Sequence, residues 1–257
     1  MAKGKPGADS SSLVTTQVQV KNLIQLAFEL FAETPVIWGR YFTSVATSGT
    51  VEYRHLKENQ ILRDNNIRVL PIARQTRHVN GSEELGTADA KKNVEDLILT
   101  FGKDHLATLG GEFVLVLDVE GSPPLSVSYY KGWAQTVLSH SQEFTGGMVK
   151  VLPCVYAPRG DDATWSAVAT ASNQGVPCHG AWIARWRIRG CGRPLEFDNS
   201  IVLPRVQIPF DVLLWQYADE CHGGDGFDCN EINPNIDFEA KLISKCVLPP
   251  DMREIVF

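Results

Sequence analysis

The 257-residue chain is 44% hydrophobic and carries 24 Lys and Arg against 30 Asp and Glu, a formal net charge of −6. That apolar content supports a full core and suits one large α/β domain. The acidic balance excludes a general attraction for polyphosphate, so nucleic acid is not an expected partner, and no apolar run reaches the roughly 18 residues of a membrane helix, so membrane insertion is not expected either.

The opening "MAKGKPGADSSS" has no apolar h-region and does not read as a secretory signal. The expectation is a protein made in the cytoplasm that stays there, leaves by another route, or has lost a leader. Leu13 to Glu33 is a long helical candidate, with Val18, Leu23, Leu26, Phe28, Leu30 and Phe31 recurring near helical spacing. Thr34 to Phe42 then reads as a strand, Tyr53 to Asn66 as a helix ended by Asn65-Asn66, and Ile67 to Ala73 as a strand. A polar loop is expected over Arg74 to Gly86, and a helix from an N-cap at Thr87 to Gly110. Phe113 to Asp118 is a strand, Ser126 to Gln142 a helix, Met148 to Pro158 a strand and Ala163 to Asn173 a helix.

Strand and helix alternate to this point, the pattern of a parallel sheet covered by helices. Beyond Asn173 the rhythm changes. Gly180 to Trp186, Asp211 to Ala218 and, more briefly, Asp225 to Asn230 read as strands, with only Gly- and Pro-punctuated sequence and the apolar piece Ser200 to Pro204 between. The fold predicted is a TIM-like (β/α) barrel, modified to about five βα units followed by helix-poor final strands. It forms one domain over 1–257, with a core of about 6–235 and an extension over 236–257. Such a ring needs a strand before Leu13, and only a very short one ending near Asp9 is available.

Of the six cysteines, Cys154 sits in "VKVLPCVY" and is expected as a buried thiol. Cys221 and Cys229 flank a Gly-rich loop and could bridge. Cys221, His222 and Cys229 lack the paired C-x-x-C spacing of a zinc site, so no metal is expected. His55, His78, His179 and His222 have no evident catalytic partner in sequence and are assigned structural or solvent roles.

Sites in parallel α/β folds form at the carboxyl ends of strands. Here that end holds Asp118 and Glu120, Tyr156 and Arg159, Arg185, Gln216 and Asp219. Side chains alternate along a strand, so Asp118 and Glu120 can share a side. Burying both favours one ionised and one protonated carboxyl, the combination used in glycosidic cleavage. An isolated D-x-E more often caps a helix or meets an arginine, and Trp182, Trp186, Trp215 and Tyr217 are by default core residues. The constellation, rather than the tripeptide, carries the reading.

Three motifs then line up in order. "LDVE" (Leu117 to Glu120), "AWIARW" (Ala181 to Trp186) and "LWQYADECHGGDGFDCN" (Leu214 to Asn230) resemble the D-x-E, the "LWIARY"-type strand and the "WQY…vDxN" ending of the family 25 glycoside hydrolases, the lysozyme-like muramidases. "VYAP" (Val155 to Pro158) is similar to their tyrosine-bearing fifth strand. "GRYF" (Gly39 to Phe42) and "LKENQILRDNNIRVLPI" (Leu56 to Ile72) look still more like the related glycoside-hydrolase-like domain of unknown function 1906, in which "PGADSS" (Pro6 to Ser11) would end the first strand.

The resemblance implies Glu120 as general acid, Asp118 as an orienting or stabilising group, Asp228 on the floor of the site and Asp9 as a further carboxylate. Tyr156, Trp182, Trp215 and Tyr217 would stack on sugars, with Gln216 and Arg185 hydrogen-bonding substrate or fixing the acids. No cofactor is implied. The expected substrate is peptidoglycan or a related glycan, cut outside the cytoplasm by a lysin or a secreted antibacterial effector, with secretion machinery or an immunity protein as further partners. The rivals are a glycan-binding barrel without activity and a metal-dependent phosphoesterase.

Overall fold

Strand pairing in the computed structural model, which describes residues 3–11, 14, 16–46, 49–51, 56–75, 77–120, 123–186, 192, 197–221, 226–251 and 253, closes on itself. The elements in order are β1 (Pro6–Ser10), α1 (Gln17–Phe31), β2 (Ile37–Ala46), β3 (Gly49–Val51), α2 (Leu56–Asp64), β4 (Arg68–Arg74), α3 (Glu83–Phe101) and α4 (Lys103–Thr108). Then come β5 (Glu112–Asp118), α5 (Val127–Thr145), β6 (Lys150–Pro158), α6 (Asp162–Asn173), β7 (Gly180–Ala184), α7 (Asn199–Val202), β8 (Val212–Cys221), β9 (Phe227–Ile232), α8 (Phe238–Lys241) and a 3-10 turn over Ile243–Lys245.

The hydrogen-bonded order β1-β9-β8-β7-β6-β5-β4-β2 returns to β1 through the β1–β2 pairing, so eight strands make a closed barrel, with β3 added as a hairpin on β2. All neighbours in the ring are parallel except at β9, which runs antiparallel to both β1 and β8. The expected barrel is therefore present: five βα units, then β7, β8 and β9, with the single turn of α7 the one helix among the described residues between the first two.

Alternation decides where each side chain goes. Along β5, Phe113, Leu115 and Leu117 join the large apolar layer under the helices, whereas Val114 and Val116 belong to the smaller cluster inside the ring, with Ile37, Leu70, Ile72, Cys154, Trp182 and Leu214. Asp118 continues that inward row at the carboxyl end. The first strand, poor in apolar residues, is held by its neighbours: all five residues are buried between β2 and β9. Its fit against β2 depends on Gly39, the register partner of Asp9, where an added Cβ would stand 2.5 Å from the Asp9 Cβ.

Several boundaries differ from expectation for local reasons. The third long helix starts at Glu83, not Thr87, because Ser82 caps it by accepting the Leu85 N–H, with Glu83 and Glu84 favourable in the first turn. It stops at Phe101, where Gly102 takes φ +80, and α4 resumes in a new direction. The first helix begins at Gln17 rather than Leu13, and β2 extends past Phe42 to Ala46. The apolar piece at Ser200 is the short helix α7, capped by the Asp198 carboxylate.

Residues 238–249 cross under the amino-terminal end of the ring. Val247 pairs with Val69, the Arg68 guanidinium donates to the Cys246 carbonyl, and His105 and His179 meet the carbonyls of Leu248 and Lys241. Leu242 is buried against Leu70, Val114 and Leu214 and lines the same small apolar cavity in the barrel interior.

Candidate active site

Four inward-facing carboxyl groups from three strands gather at the carboxyl-end mouth. Asp9 of β1 and Asp228 of β9 are register partners. Asp118 ends β5, and Glu120 follows two residues later on the same side. The site thus brings together Asp9, Asp118, Glu120 and Asp228, as the sequence suggested.

Two amide side chains bind the set into a network. Gln216 of β8 donates to Asp9 Oδ1 at 3.1 Å and to Asp228 Oδ2 at 3.2 Å. Asn230 donates to Asp9 Oδ1 at 2.6 Å and accepts from Trp182 Nε1 at 2.9 Å. Asp228 also accepts the Glu220 N–H at 2.8 Å. Tyr156 Oη lies 2.7 Å from both Glu120 Oε1 and Gln216 Oε1. Trp186 Nε1 donates to Gln216 Oε1 at 3.0 Å.

Asp118 is the exception. It is 0% exposed, and among the described residues neither oxygen has a hydrogen-bond donor. Among the described residues its ion-pair partner is Arg74, whose Nε is 3.6 Å away and whose side chain is 39% exposed above the Tyr41 ring. Burial, with the nearby Glu120 charge adding to it and Arg74 opposing it, pushes the Asp118 carboxyl up to about 8. Burial also raises Asp9 well above the carboxylate range, reinforced by Asp228 and opposed by its two amide donors. Asp228 rises to about 6, chiefly through burial, with the Glu220 N–H pulling the other way. The Tyr41 and Tyr156 hydroxyls are likewise raised by burial and the acids around them. At neutral pH this mouth holds protons on groups that in water would have released them.

Two expected sugar-stacking residues lie elsewhere. Trp215 and Tyr217 have the opposite parity to Gln216, so they point out of the ring into the helix layer. Trp215 packs on Phe197 and donates to the Arg185 carbonyl, and Tyr217 packs on Phe31. Arg185 turns away as well, its guanidinium donating to the Ile201 carbonyl near α7. Trp182 is inside the ring but 2% exposed, edge-on to Tyr156 below the acids, where its role is to hold Asn230. The exposed aromatic at the rim is Trp186, at 49%. Tyr41, Arg74, Trp186 and Asn230 were not singled out as site residues. Strand parity could have found Tyr41, two residues after Gly39, and Asn230, two after Asp228.

The cysteine pair at the same edge is not bonded: Cys221 and Cys229 are both thiols, with sulfurs 3.2 Å apart. Cys154 is a buried thiol inside the barrel. His78 pairs with Asp89 and His179 with the Lys241 carbonyl, both away from the acids, while His55, Cys191 and His222 lie outside the described residues.

No protein-family model matches the chain, and no curated protein does. Solved structures do. An uncharacterized B. stearothermophilus protein is 21% identical with a TM-score of 0.64, over 95% of this chain and 100% of that one. The Mycobacterium tuberculosis Tat-secreted protein Rv2525c, in complex with HEPES, is 17% identical with a TM-score of 0.52, over 89% and 95%. The Clostridium perfringens spore cortex lytic enzyme SleM is 15% identical with a TM-score of 0.53, over 91% of this chain and 68% of that one. At these identities the likeness establishes the modified barrel that all of them share with this chain, and not membership of the family 25 hydrolases or of the domain of unknown function 1906.

Proposed function

We propose that the protein is a glycoside hydrolase that cleaves a β-1,4 bond of bacterial cell-wall peptidoglycan. One observation carries the reading: four acids meet at the carboxyl-end mouth, and among the described contacts only Asp118 has an arginine near it, so the acids are not consumed by structural ion pairs. An inactive glycan-binding barrel would more naturally have neutralised them. That one fold neighbour is a spore cortex lytic enzyme is consistent with this chemistry on this barrel.

Glu120 is the general acid. It is half-buried at the rim and hydrogen-bonded to Tyr156, where a leaving oxygen can reach it. Asp118 stands buried behind Glu120 as the second carboxyl of the pair, the orienting or stabilising group of the substrate-assisted variant of the two-carboxylate scheme. Asp228, the acid that ionises most readily of the three raised ones, carries the negative charge that faces the developing cation. Trp186 offers its exposed face to a sugar ring. Action on this substrate places the enzyme outside the cytoplasm when it works.

The test is release of reducing ends from purified peptidoglycan. Wild type should release them, and Glu120→Gln should be slower by about 10²- to 10⁴-fold, the usual worth of a positioned acid. Equal rates would remove Glu120 from the role, and an inert wild type would remove the reading.

A further inference from the structure

Among the described residues, four arginines lie in the ring strands or directly after them toward the mouth, and the protein itself engages three. Arg40 is paired with Glu58 in the core. Arg159 donates to the Ser200 carbonyl and Arg185 to the Ile201 carbonyl. Arg74, the last residue of β4, differs: among the described residues nothing accepts a hydrogen bond from its guanidinium.

Two contacts fix where that guanidinium sits. Its carbon is 5.7 Å from the centroid of the Tyr41 ring, within cation–π range. Strand register sets Arg74 opposite Asp118, with Nε 3.6 Å from Oδ2. An arginine engaged with an ionised carboxylate donates parallel N–H bonds of about 2.7–2.9 Å. That pairing is absent here, since neither Asp118 oxygen accepts a hydrogen bond among the described residues. Burial explains the loose fit. It holds the Asp118 proton to about 8, so at pH 7 the cation faces a carboxyl that is mostly neutral. The Arg74 side chain is 39% exposed, so a ligand can reach it. The loop it opens, Arg74 to Ser82, contains the exposed Arg77 and no acid.

A planar fork of donors held in one place matches a carboxylate. In the β-1,4 glycan of the cell wall, every second sugar is N-acetylmuramic acid, which bears a lactyl ether. Joined to a stem peptide, that lactyl group is a neutral amide. Hydrolysis of the amide releases the peptide's amine and leaves a carboxylate on the sugar. We propose that Arg74 is a specificity-determining residue that takes this lactyl carboxylate, so that the enzyme acts on glycan strands already stripped of stem peptides by an amidase-class reaction. The identity of the glycan rests on the hydrolase reading; the preference for a carboxylate rests on Arg74. Carboxylates of the stem peptide lie several bonds farther from the glycosidic bond than the lactyl group does.

Three soluble glycans decide the matter: peptide-free strands, the same strands with their lactyl carboxylates converted to methylamides, and strands still bearing stem peptides. Wild-type kcat/KM should be about 10- to 100-fold higher on the first than on either of the others, the size of charge-assisted hydrogen bonding. In Arg74→Gln that ratio should fall to near one. In Arg74→Lys, which keeps the charge without the fork, it should lie between. A wild-type ratio near one would overturn the proposal, as would a ratio unchanged in Arg74→Gln. Faster cleavage of the peptide-bearing strands would overturn the lactyl assignment. Equilibrium binding of the first two glycans to Glu120→Gln, with and without Arg74→Gln, separates this inference from the hydrolase reading. If wild type cleaves nothing but the carboxylate strands bind more tightly by the same factor through Arg74, the hydrolase reading falls and the carboxylate site stands. Equal binding of both glycans would overturn the site itself.

Discussion

Asp118 carries a conflict that the barrel does not relieve with a donor. It is fully buried, its oxygens have no hydrogen-bond partner among the described residues, and its folded-state proton is held to about 8. The native state therefore binds a proton that the unfolded chain has lost above about pH 4. Stability from this group is fully present below that pH and is lost as the pH rises toward 8. Asp118→Asn keeps the shape and removes the titration. We expect it to match wild type at pH 4 and to exceed it by a few kcal/mol at pH 8, with lower activity, the usual exchange at a strained site. Thermal unfolding at the two pH values checks this; an equal difference at both would mean that Asp118 does not titrate in this range. Glu120 and Asp118 were legible in sequence as a D-x-E at a strand end only because further motifs followed it in order. Gln216 was legible from the WQY motif as a group that could fix the acids, whereas the part of Asn230 was not, since it meets Asp9 across 221 residues of sequence.

Among the elements, the first strand depends on a buried ion pair. Arg40 of β2 meets Glu58 of α2 at 2.5 Å, both side chains 2% exposed. Arg40 also donates to the Ser10 carbonyl at the end of β1, and Glu58 accepts the Val14 N–H, so the pair holds the chain on both sides at Ser10 and Val14. Burial raises the Glu58 carboxyl despite its arginine, which shows that desolvation outweighs attraction there. Removing one partner leaves a stranded charge. Glu58→Ala should cost about 3–5 kcal/mol in urea unfolding and loosen Asp9, whereas a cost below about 1 kcal/mol would make the pair incidental. This dependence explains why "PGADSS" was the weakest strand to read: its five residues carry little strand propensity of their own, and tertiary pairing overrides that. Strong periodicity made the long helices legible, while their ends moved with caps such as Ser82 and breaks such as Gly102.

At the scale of the molecule, the ring has a chemical mouth and a sealed base. Leu242 closes that base by packing on the interior cluster, 1% exposed. Leu242→Ala should cost about 2–5 kcal/mol, as truncation of a buried leucine does, and should leave the relative effect of Glu120→Gln unchanged. A denaturation midpoint equal to wild type would show that the base is held by its ion pairs, Lys245 and Lys150 with Glu112 and Lys241 with Asp211. The overall architecture was legible because five alternating units followed by helix-poor strands is a long-range rhythm that survives local error. The outward placement of Trp215 and Tyr217 was not, because a motif names residues without stating which parity faces the cavity.

The pairing of β1 with β9 has a consequence for synthesis. A ribosome makes the chain from its amino end, so Asp9 emerges 221 residues before Asn230, an amide that clamps it. Nascent chains shorter than this hold the first acid with no amide clamp and no facing carboxyl. The four acids can therefore come together only once the ribosome has passed β9.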